Sequence, residues 1–519
     1  MIEALMVTVA LLAVVAAAIY YYVKSVYSFF DDTGIPIAPW SPIAGSMKDL
    51  GNQKCSLAET IQRIYNLYPE AKYIGVFENF TPAIMIRDLD LLKSVTVKNF
   101  DHFQNHRSIT ASEQIFSKNI FFLRGERWKE VRGLLSPTFT SSKMKAMYNL
   151  MHECAVRYGE NLAMLPKEKR SIELKDTFTK YTNDVIGTCV FGVTVDSMTD
   201  PNNTFYVYGR EATVIDKRRA TKFFLSMKFP LLCRVFGIRI FEKKITDFFQ
   251  DLISSTIKAR DEQGIVRPDL LHIMMETRGK LGPGKELTIE DMTAHAFGFF
   301  FGGFDSSSTL MCFAAYEIGV NPEVQKRLQE EIDEVLMNNK GEVSYEAING
   351  MKYLDAVINE ALRMYPVNIF VDRVCTIPFE LPPALPGGKP HLVKKDEVLW
   401  LPIYGIHFDP QHFEEPTKFN PDRFLDDSKK LLNSGKFLSF GVGPRMCLGN
   451  RFALLETKVL LFHVFARCNL KPNEKTTIPM KLSKKVFQMT AEDGFWFDVV
   501  PREITTPVLN NLAVNGSAI

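Results

Sequence analysis

Residues 440–449 read F-G-V-G-P-R-M-C-L-G and present a single thiol, that of Cys447, on a glycine-rich loop. The glycines let the backbone turn sharply and approach a flat ligand closely, because glycine has no Cβ. Arg445 precedes the cysteine by two residues, where its charge lowers the cost of forming a thiolate. A lone thiolate in this setting suits haem iron, which takes one protein ligand and leaves its opposite face open. The residues alone also allow an inert structural cysteine.

The residues that follow the loop, 451–460, read R-F-A-L-L-E-T-K-V-L and predict a helix that begins beside Cys447. The amide end of a helix carries a partial positive charge, which favours an anion placed there. Loop and helix together are therefore suited to a negatively charged sulfur.

The composition limits the classes of function. The chain has 519 residues, of which 46% are hydrophobic and 24% charged, a balance typical of globular proteins. Its net charge of +2 argues against a nucleic-acid partner, since nucleic-acid binding normally needs a basic domain. The eight cysteines form no C-x-x-C pair, which argues against a zinc module or a disulfide framework and for a reducing compartment.

The N-terminus predicts a membrane anchor. Residues 4–23 are almost continuously apolar and long enough to span a bilayer, and the tyrosines at 20–22 suit the interface. Lys24 follows the run and no basic cluster precedes it, so charge bias places the rest of the chain in the cytosol. A cleaved signal peptide is disfavoured, because the basic n-region is missing and the apolar run is too long. We predict an anchor at 1–33 and a stiff proline-rich hinge at 34–45.

The remaining chain predicts a mainly α protein with small β-sheets (α+β). We expect one catalytic domain at 46–505 and a polar tail at 506–519. Residues 73–77 and 83–86 predict a hairpin, because two short apolar runs flank a turn. Most of 91–336 predicts helices.

One long helix is predicted to cross the centre of the domain. Thr288 begins a capping-box pattern, and helical sequence then continues to Asn321. The run is apolar on every face, which indicates burial, and Asp305 at its middle argues against a second membrane span. Glycines at 302–303 and hydroxyls at 306–309 predict a kink where a ligand could bind and receive protons. The alternative is that Asp305 pairs with a cation elsewhere in the chain.

Residues 217–241 combine seven basic residues with aromatic and aliphatic ones and contain no acid. The length of the apolar runs and the N-terminal anchor favour contact with a membrane surface over nucleic acid. An ordinary helix pair with a solvated basic face is the alternative.

Two further pairs of residues share helix faces. Trp128 and Arg132 lie four apart and suit carboxylates such as haem propionates, although a surface Trp/Arg stack is the commoner explanation of such a pair. Glu360 and Arg363 lie three apart, and Arg423, in the turn P-D-R-F, is a candidate third member of that pair.

With these pieces in place, the sequence resembles the cytochrome P-450 superfamily of haem-thiolate monooxygenases over nearly its whole length. It is most similar to microsomal members from insects, in the animal clan associated with xenobiotic metabolism. The matching motifs are the cysteine loop F-x-x-G-x-R-x-C-x-G, the E-x-x-R helix, the W-x-x-x-R helix and a P-E-R-F-like turn, in which Asp422 replaces the glutamate.

The resemblance implies the P-450 fold with a long kinked central helix, and haem b with an axial thiolate. The cofactor-binding residues that it implies are Cys447 as metal ligand, Trp128, Arg132, Arg373, Arg445, Phe440, Gly443 and His106. Asp305 and Ser306 would deliver protons as the catalytic residues, and Glu360, Arg363 and Arg423 would form a structural charge network. The implied substrate pocket contains Phe116, Phe301, Phe304, Phe370 and Phe487.

The implied reaction inserts one oxygen atom from dioxygen into an apolar small molecule, either a xenobiotic or an endogenous lipid or hormone. Electrons would come from NADPH through a membrane flavoprotein reductase, with cytochrome b5 as a further donor, since the chain has no dinucleotide fingerprint. Basic candidates for docking the reductase are Arg127, Lys129, Lys436 and Arg451. The expected location is the endoplasmic reticulum membrane, with the catalytic domain cytosolic.

One position departs from the family pattern. Most members have threonine where this chain has Ser306, and serine lacks the methyl group that fixes the threonine rotamer. We expect serine to deliver protons as well, but with less of the consumed reductant appearing as oxidised product. Two other functions use the same loop: a haem-thiolate isomerase or dehydratase acting on peroxides, and a non-catalytic haem-binding membrane protein. Asp305 and Ser306 argue against the first, because that chemistry needs no proton relay. The membrane-facing apolar channel and the acid at the kink argue against the second.

Overall fold

The computed structural model describes residues 2–42, 44–107, 114–278, 286–425, 428–485 and 488–502. Over these residues the chain is largely helical, as the apolar periodicity of the sequence predicts. The α-helices, in chain order, are α1 (Ile2–Tyr27), α2 (Lys48–Gly51), α3 (Leu57–Tyr65), α4 (Leu89–Lys93), α5 (Gln114–Ser117), α6 (Gly125–Leu135), α7 (Ser141–Ala163), α8 (Leu174–Ile186), α9 (Thr204–Thr213), α10 (Lys217–Lys228), α11 (Pro230–Val235), α12 (Lys243–Gln263), α13 (Leu270–Met275), α14 (Ile289–Val320), α15 (Pro322–Asn338), α16 (Tyr345–Gly350), α17 (Lys352–Met364), α18 (Ile403–His407), α19 (Ser428–Leu432) and α20 (Asn450–Arg467).

The strands are β1 (Tyr73–Glu78), β2 (Thr81–Ile86), β3 (Ser171–Glu173), β4 (Val371–Val374), β5 (Phe379–Leu381), β6 (His391–Val393), β7 (Val398–Leu401), β8 (Cys468–Lys471) and β9 (Trp496–Pro501). Short 3-10 or π turns occupy Ser94–Lys98, Phe100–His102, Ser136–Phe139, Lys167–Lys169, Gly187–Phe191, Pro421–Phe424 and Gly443–Arg445.

The chain divides into two compact units, where the sequence predicted one domain. The sheet unit comprises Met1–Arg107, Asn368–His412 and Val442–Pro444. The helical unit comprises Ser108–Val367, Phe413–Gly441 and Arg445–Ile519. The predicted tail at 506–519 lies outside the described residues.

The predicted hairpin is the start of the main sheet of the sheet unit. Strand β1 pairs antiparallel with β2, and the sheet order is β1-β2-β7-β4. Asn79 has a φ of +54° in the turn, a left-handed conformation that asparagine tolerates better than most residues. Strand β2 runs parallel to β7, whose residues are all buried.

The predicted central helix is α14 of the helical unit. The Thr288 side chain accepts the N–H of Asp291, and the Asp291 side chain accepts the N–H of Thr288, which is the predicted capping box. The helix ends before Pro322, which begins α15, and it is buried along most of its length. It continues through Gly302 and Gly303 without interruption. The predicted kink is therefore not a break in the helix.

Helix α20, which follows the cysteine loop, is buried over most of its length and packs closely on α7. The crossing is close at Gly159, where a Cβ would lie 2.8 Å from the carbonyl oxygen of His463. A larger residue at this position would force the two helices apart.

The N-terminal helix α1 extends past the predicted boundary at residue 23 to Tyr27, and it is long and apolar enough to cross a membrane. The predicted hinge contributes to the sheet unit, since the N–H of Ala38 donates to the carbonyl of Gly75, whose N–H donates to Pro36. The hinge is therefore held along β1.

The basic and aromatic stretch 217–241 forms the helix pair α10 and α11. Apolar side chains of α11 and the residue after it are exposed, with Leu231 at 70%, Val235 at 70% and Phe236 at 72%. This exposure is more than a solvated basic face requires, and it favours a membrane surface.

Glu360, Arg363 and Arg423 form one ion-pair network in the helical unit. Arg363 donates to both carboxylate oxygens of Glu360 at 2.8 Å, and both side chains are fully buried. Arg423 donates to Glu360 at 3.3 Å, and Arg363 also bonds the carbonyl of Pro416 at 2.8 Å. The network joins α17 to the segment around the P-D-R-F turn.

We expect Arg363→Leu to lower the free energy of unfolding by about 3–5 kcal/mol, because it leaves the buried Glu360 without its main partner. Thermal or urea unfolding measures the change. The matched control is Arg327→Leu, which breaks an ion pair with Asp422 whose side chains are 45% and 52% exposed. That change should cost less than about 1 kcal/mol. Equal losses in the two variants would contradict the assignment of a stabilising network.

Candidate active site

The cysteine loop closes on itself through its backbone. The N–H of Cys447 donates to the carbonyl of Phe440 at 2.8 Å. Gly441 and Gly443 have φ angles of +76° and +72°, which residues with a Cβ rarely adopt. A Cβ at Gly443 would also overlap the carbonyl oxygen of Thr96. Gly441 and Gly443 are therefore required by the shape of the loop.

The sulfur of Cys447 lies beside the start of α20, as predicted. The Cys447 side chain is exposed to solvent. The protein atoms around the sulfur nevertheless remove part of its hydration, and this partial burial raises the pKa of the thiol. The N–H of Gly449 and the charge of Arg132 act in the opposite direction and lower this pKa. A metal ion binds the thiolate, so ligation would displace the proton.

Arg132 thus takes part of the role that the sequence assigned to Arg445. The guanidinium of Arg445 lies 4.0 Å from the ring centroid of Trp128, and it donates to the carbonyl of Leu123 at 2.8 Å. Arg132 donates to the carbonyl of Met446 at 2.8 Å. Trp128 is only 3% exposed, so its stack with Arg445 is not a surface feature. These bonds attach α6 to the cysteine loop.

Arg373 of β4, in the sheet unit, is a buried cation that lacks an ion-pair partner among the described residues. It is 2% exposed, its Nε has no hydrogen-bond partner there, and burial lowers its pKa to about 10. The neighbouring carboxylate of Asp372 is bonded to Nδ1 of His106 at 2.9 Å and to Arg107 at 2.7 Å. A buried guanidinium with an open donor fits the carboxylate of a bound group, such as a haem propionate.

The sequence predicts that His106 contacts the cofactor. In the structure, Nδ1 of His106 is hydrogen-bonded to the carboxylate of Asp372. Burial alone would raise the pKa of Asp372, but the hydrogen bond from His106 and the charge of Arg107 hold it well below its usual range. Asp372 therefore remains ionised and orients the imidazole. Sequence reasoning did not identify this role, because residues 106 and 372 are distant in the chain.

The central helix places Asp305 against a lysine. The Nζ of Lys175, on α8, lies 2.9 Å from the Asp305 carboxylate and donates to the hydroxyls of Ser308 at 2.8 Å and Thr309 at 2.6 Å. The Ser306 hydroxyl donates to the carbonyl of Gly302. Asp305 thus has the cation partner that the sequence left as an alternative, and no sequence signal pointed to Lys175.

Comparison with known proteins gives the family. The model of the cytochrome P450 family matches residues 36–496. The chain is 41% identical to cytochrome P450 9e2 of Blattella germanica, over 92% of this chain and 94% of that protein. It is 38% identical to probable cytochrome P450 9f2 of Drosophila melanogaster, over 95% of this chain and 99% of that protein. The chain belongs to the cytochrome P450 family.

This cytochrome P450 is a haem-thiolate monooxygenase, an NADPH-dependent oxidoreductase whose cofactor is haem b with a cysteine thiolate as the iron ligand. The family implies electron-donating redox partners and a hydrophobic substrate. The apolar helix α1 is consistent with a membrane anchor. The isomerase and the non-catalytic alternatives gain no support.

Aromatic residues predicted to line the substrate pocket have different surroundings. Phe304 is 1% exposed and packs against Phe300 at 5.0 Å and Tyr206 at 6.3 Å between ring centroids, so its ring belongs to the core. Phe301 is half-buried, and its ring lies 6.3 Å from that of Phe241. Phe301 therefore remains a pocket candidate in the helical unit.

Of the other three residues predicted to line the pocket, one has a described side chain. In the sheet unit, Phe370 lies 4.4 Å from the ring of Trp400. The side chain of Phe116 and the whole of Phe487 lie outside the part of the structure that is described.

Glu456 of α20 is an acid that sequence reasoning missed. It is fully buried, and burial raises its pKa to about 8. Ser307 of α14 lies next to it and partly offsets that rise. Neither the two carboxyl oxygens nor the Ser307 hydroxyl has a hydrogen bond of normal geometry to a described residue. Glu456 of α20 is therefore an acid whose pKa burial raises to about 8, and it lies beside Ser307 of the central helix.

The raised pKa of Glu456 makes the stability of the protein depend on pH. Between the ordinary value of 4.5 and about 8 the folded state binds more protons than the unfolded state. The free energy of unfolding therefore falls as pH rises through this window, by up to about 1.4 kcal/mol per pH unit. Glu456→Gln stays neutral, so its melting temperature should fall less steeply with pH.

Melting curves of the holoprotein across the window measure this slope. Burial also raises the pKa of Glu317 to about 7. The Glu456→Gln variant should therefore keep part of the dependence of melting temperature on pH. The control Glu346→Gln, at a side chain 60% exposed, should leave the slope unchanged. An identical slope in Glu456→Gln and the parent would show that Glu456 is ionised at neutral pH.

Proposed function

We propose that the thiolate of Cys447 would bind the iron of haem b, and that Trp128, Arg132, Arg445 and Arg373 would hold the propionates, with His106, oriented by Asp372, as a further contact. The observation that carries the assignment of Arg373 is its buried guanidinium, whose Nε has no described hydrogen-bond partner. For Cys447 it is the sulfur beside the N–H of Gly449 at the start of α20. When bound, the haem supplies dioxygen activation.

Arg373→Leu should separate cofactor binding from folding. The variant removes a buried cation that has no described ion-pair partner, so the apoprotein should be as stable as the parent or more stable. It should bind haem about tenfold more weakly or worse, because a charge-assisted hydrogen bond is lost. Haem titration and the carbon monoxide difference spectrum of the reduced protein measure this. Unchanged haem affinity would remove Arg373 from the cofactor site.

We propose that Asp305 and Ser306 deliver protons during catalysis. Their support is the position of both on the buried central helix, where Lys175 keeps the carboxylate oriented. The Ser306 hydroxyl is free to rotate between the carbonyl of Gly302 and a group bound in the site, because it lacks the methyl group of threonine. Lys175 is a positioning residue that acts through Asp305.

Ser306→Ala should increase the fraction of NADPH that ends as peroxide, because the hydroxyl that passes protons is lost. The measurement is NADPH consumption with added flavoprotein reductase, together with product and peroxide analysis. Ser306→Thr is the matched control and should keep peroxide release at or below the parent level. The proton-relay role is excluded if the alanine variant couples as well as the parent.

We propose a membrane flavoprotein reductase as the electron donor, with cytochrome b5 as a second donor. Among the basic docking candidates, Arg127 is already paired with Asp291 at 3.2 Å, which reduces its availability. Lys129 is 42% exposed, and its ion-pair partner Glu126 is 81% exposed. Arg451 is exposed at the start of α20. Lys129 and Arg451 are therefore the better candidates for an acidic partner surface.

We propose an apolar, lipid-soluble substrate, either a xenobiotic or an endogenous lipid or hormone, and a location at the endoplasmic reticulum with the catalytic part in the cytosol. The half-buried Phe301 beside Phe241 supports an aromatic enclosure. The exposed apolar residues of α11 support contact with a bilayer from which such a substrate would enter. The charge bias at Lys24 supports the orientation.

A further inference from the structure

The turn Ser136–Phe139 follows α6 directly and ends on a buried phenylalanine. The side chain of Phe139 is 7% exposed. Its ring contacts the central helix α14, where the ring centroid of Phe299 lies 5.5 Å away in an edge contact. It also faces Gly449, which ends the cysteine loop and caps the N-terminus of α20. Phe139 therefore lies where α6, the central helix and the start of α20 meet.

Phe139 lies close enough to Gly449 to exclude water from the space between them. A Cβ at Gly449 would be 3.8 Å from Cε1 of Phe139, an ordinary van der Waals distance. Because a C–C bond is about 1.5 Å long, the Cα of Gly449 and this ring carbon are at most about 5.3 Å apart. Two carbon atoms with a water molecule between them need roughly 6.5 Å. The ring therefore covers this side of Gly449 directly.

Hydrogen bonds fix the position of Phe139 relative to the cysteine loop. Nη1 of Arg451, in the first turn of α20, donates to the carbonyl of Phe139 at 3.4 Å. On α6, which continues into the turn of Phe139, Arg132 donates to the carbonyl of Met446 at 2.8 Å. The segment that carries Phe139 is thus bonded to the chain on both sides of Cys447.

The backbone groups of Gly449 have two different partners. Its carbonyl accepts the N–H of Ala453 at 2.9 Å, within the first turn of α20. Its own N–H lies beside the sulfur of Cys447 and lowers the pKa of that thiol. Sulfur is a weaker acceptor than oxygen, so water competes for this N–H wherever it can reach it. The N–H stays directed at the sulfur most firmly when water is excluded.

We propose that Phe139 is a positioning residue for the iron ligand: its ring keeps water from the amide of Gly449, so that this N–H stays directed at the sulfur of Cys447. The inference rests on the proposed ligation of haem iron by that sulfur. Phe299 supports the ring from the opposite element, so the packing of the central helix contributes to the surroundings of the ligand.

The test measures amide hydrogen exchange in the full-length haem-loaded protein, by mass spectrometry that resolves single residues. In Phe139→Ala, exchange at Gly449 should be about tenfold faster, the factor expected when one hydrogen bond of this kind is weakened. Exchange at Ala453 should not change, because its N–H bonds within α20. Ala453 is therefore a control in the same molecule.

Further variants separate the role of the ring from a general loss of packing. Phe139→Leu fills most of the same space and should keep exchange at Gly449 within about twofold of the parent. Phe139→Val leaves a smaller opening than alanine and should give an intermediate increase, which tests the proposal even if the alanine variant does not fold. The matched control Phe462→Ala removes a ring that is 1% exposed, about 20 Å further along α20, and should leave Gly449 unchanged.

Unchanged exchange at Gly449 in the alanine and valine variants overturns the proposal. Equal acceleration at Gly449 and Ala453 also overturns it, because the start of α20 then opens as a whole and Phe139 is only structural. The carbon monoxide difference spectrum of the reduced parent reports the ligand separately. A spectrum that is not of the thiolate type overturns the ligation by Cys447 and this inference with it.

Discussion

The burial of charge is the constraint on which the rest of this structure depends. A charged side chain in a protein interior costs several kcal/mol unless a partner of opposite charge is bonded to it. Glu360 meets this condition through two bonds from Arg363, and Asp372 meets it through His106. Each network also joins segments that are distant in the chain. The same bonds that compensate the charges therefore hold those segments together within each unit.

Arg373 and Glu456 depart from this rule, because both are buried and neither has an ion-pair partner among the described residues. Arg373 keeps a buried donor without a described partner, and such a donor would suit the carboxylate of a bound group. Glu456 avoids the cost in another way, since its raised pKa keeps it neutral. Functional sites are where such departures are expected, because a local loss of stability is compensated when the ligand binds.

Much of the fold could be predicted because its signals are local. The boundaries of α14 follow from a capping box at Thr288 and from Pro322, and the hairpin follows from two apolar runs around a turn. The division into two compact units carried no such signal, because it depends on contacts between distant segments. Helix α1 continued to Tyr27 because its last residues pack on the sheet, which composition does not indicate.

The sequence by itself determined the family, predicted Cys447 as the metal ligand and contained an apolar run long enough to span a bilayer. Each depends on residue types at fixed short spacings within one loop or helix, such as Cys447 in its glycine-rich motif. Only the tertiary structure decided which charged groups lie beside the Cys447 thiol and beside Asp305. It selected Arg132 rather than Arg445 as the cation that lowers the pKa of the thiol, and Lys175 as the partner of Asp305. These pairings join residues more than a hundred positions apart, and only the packing of the intervening helices brings them into contact.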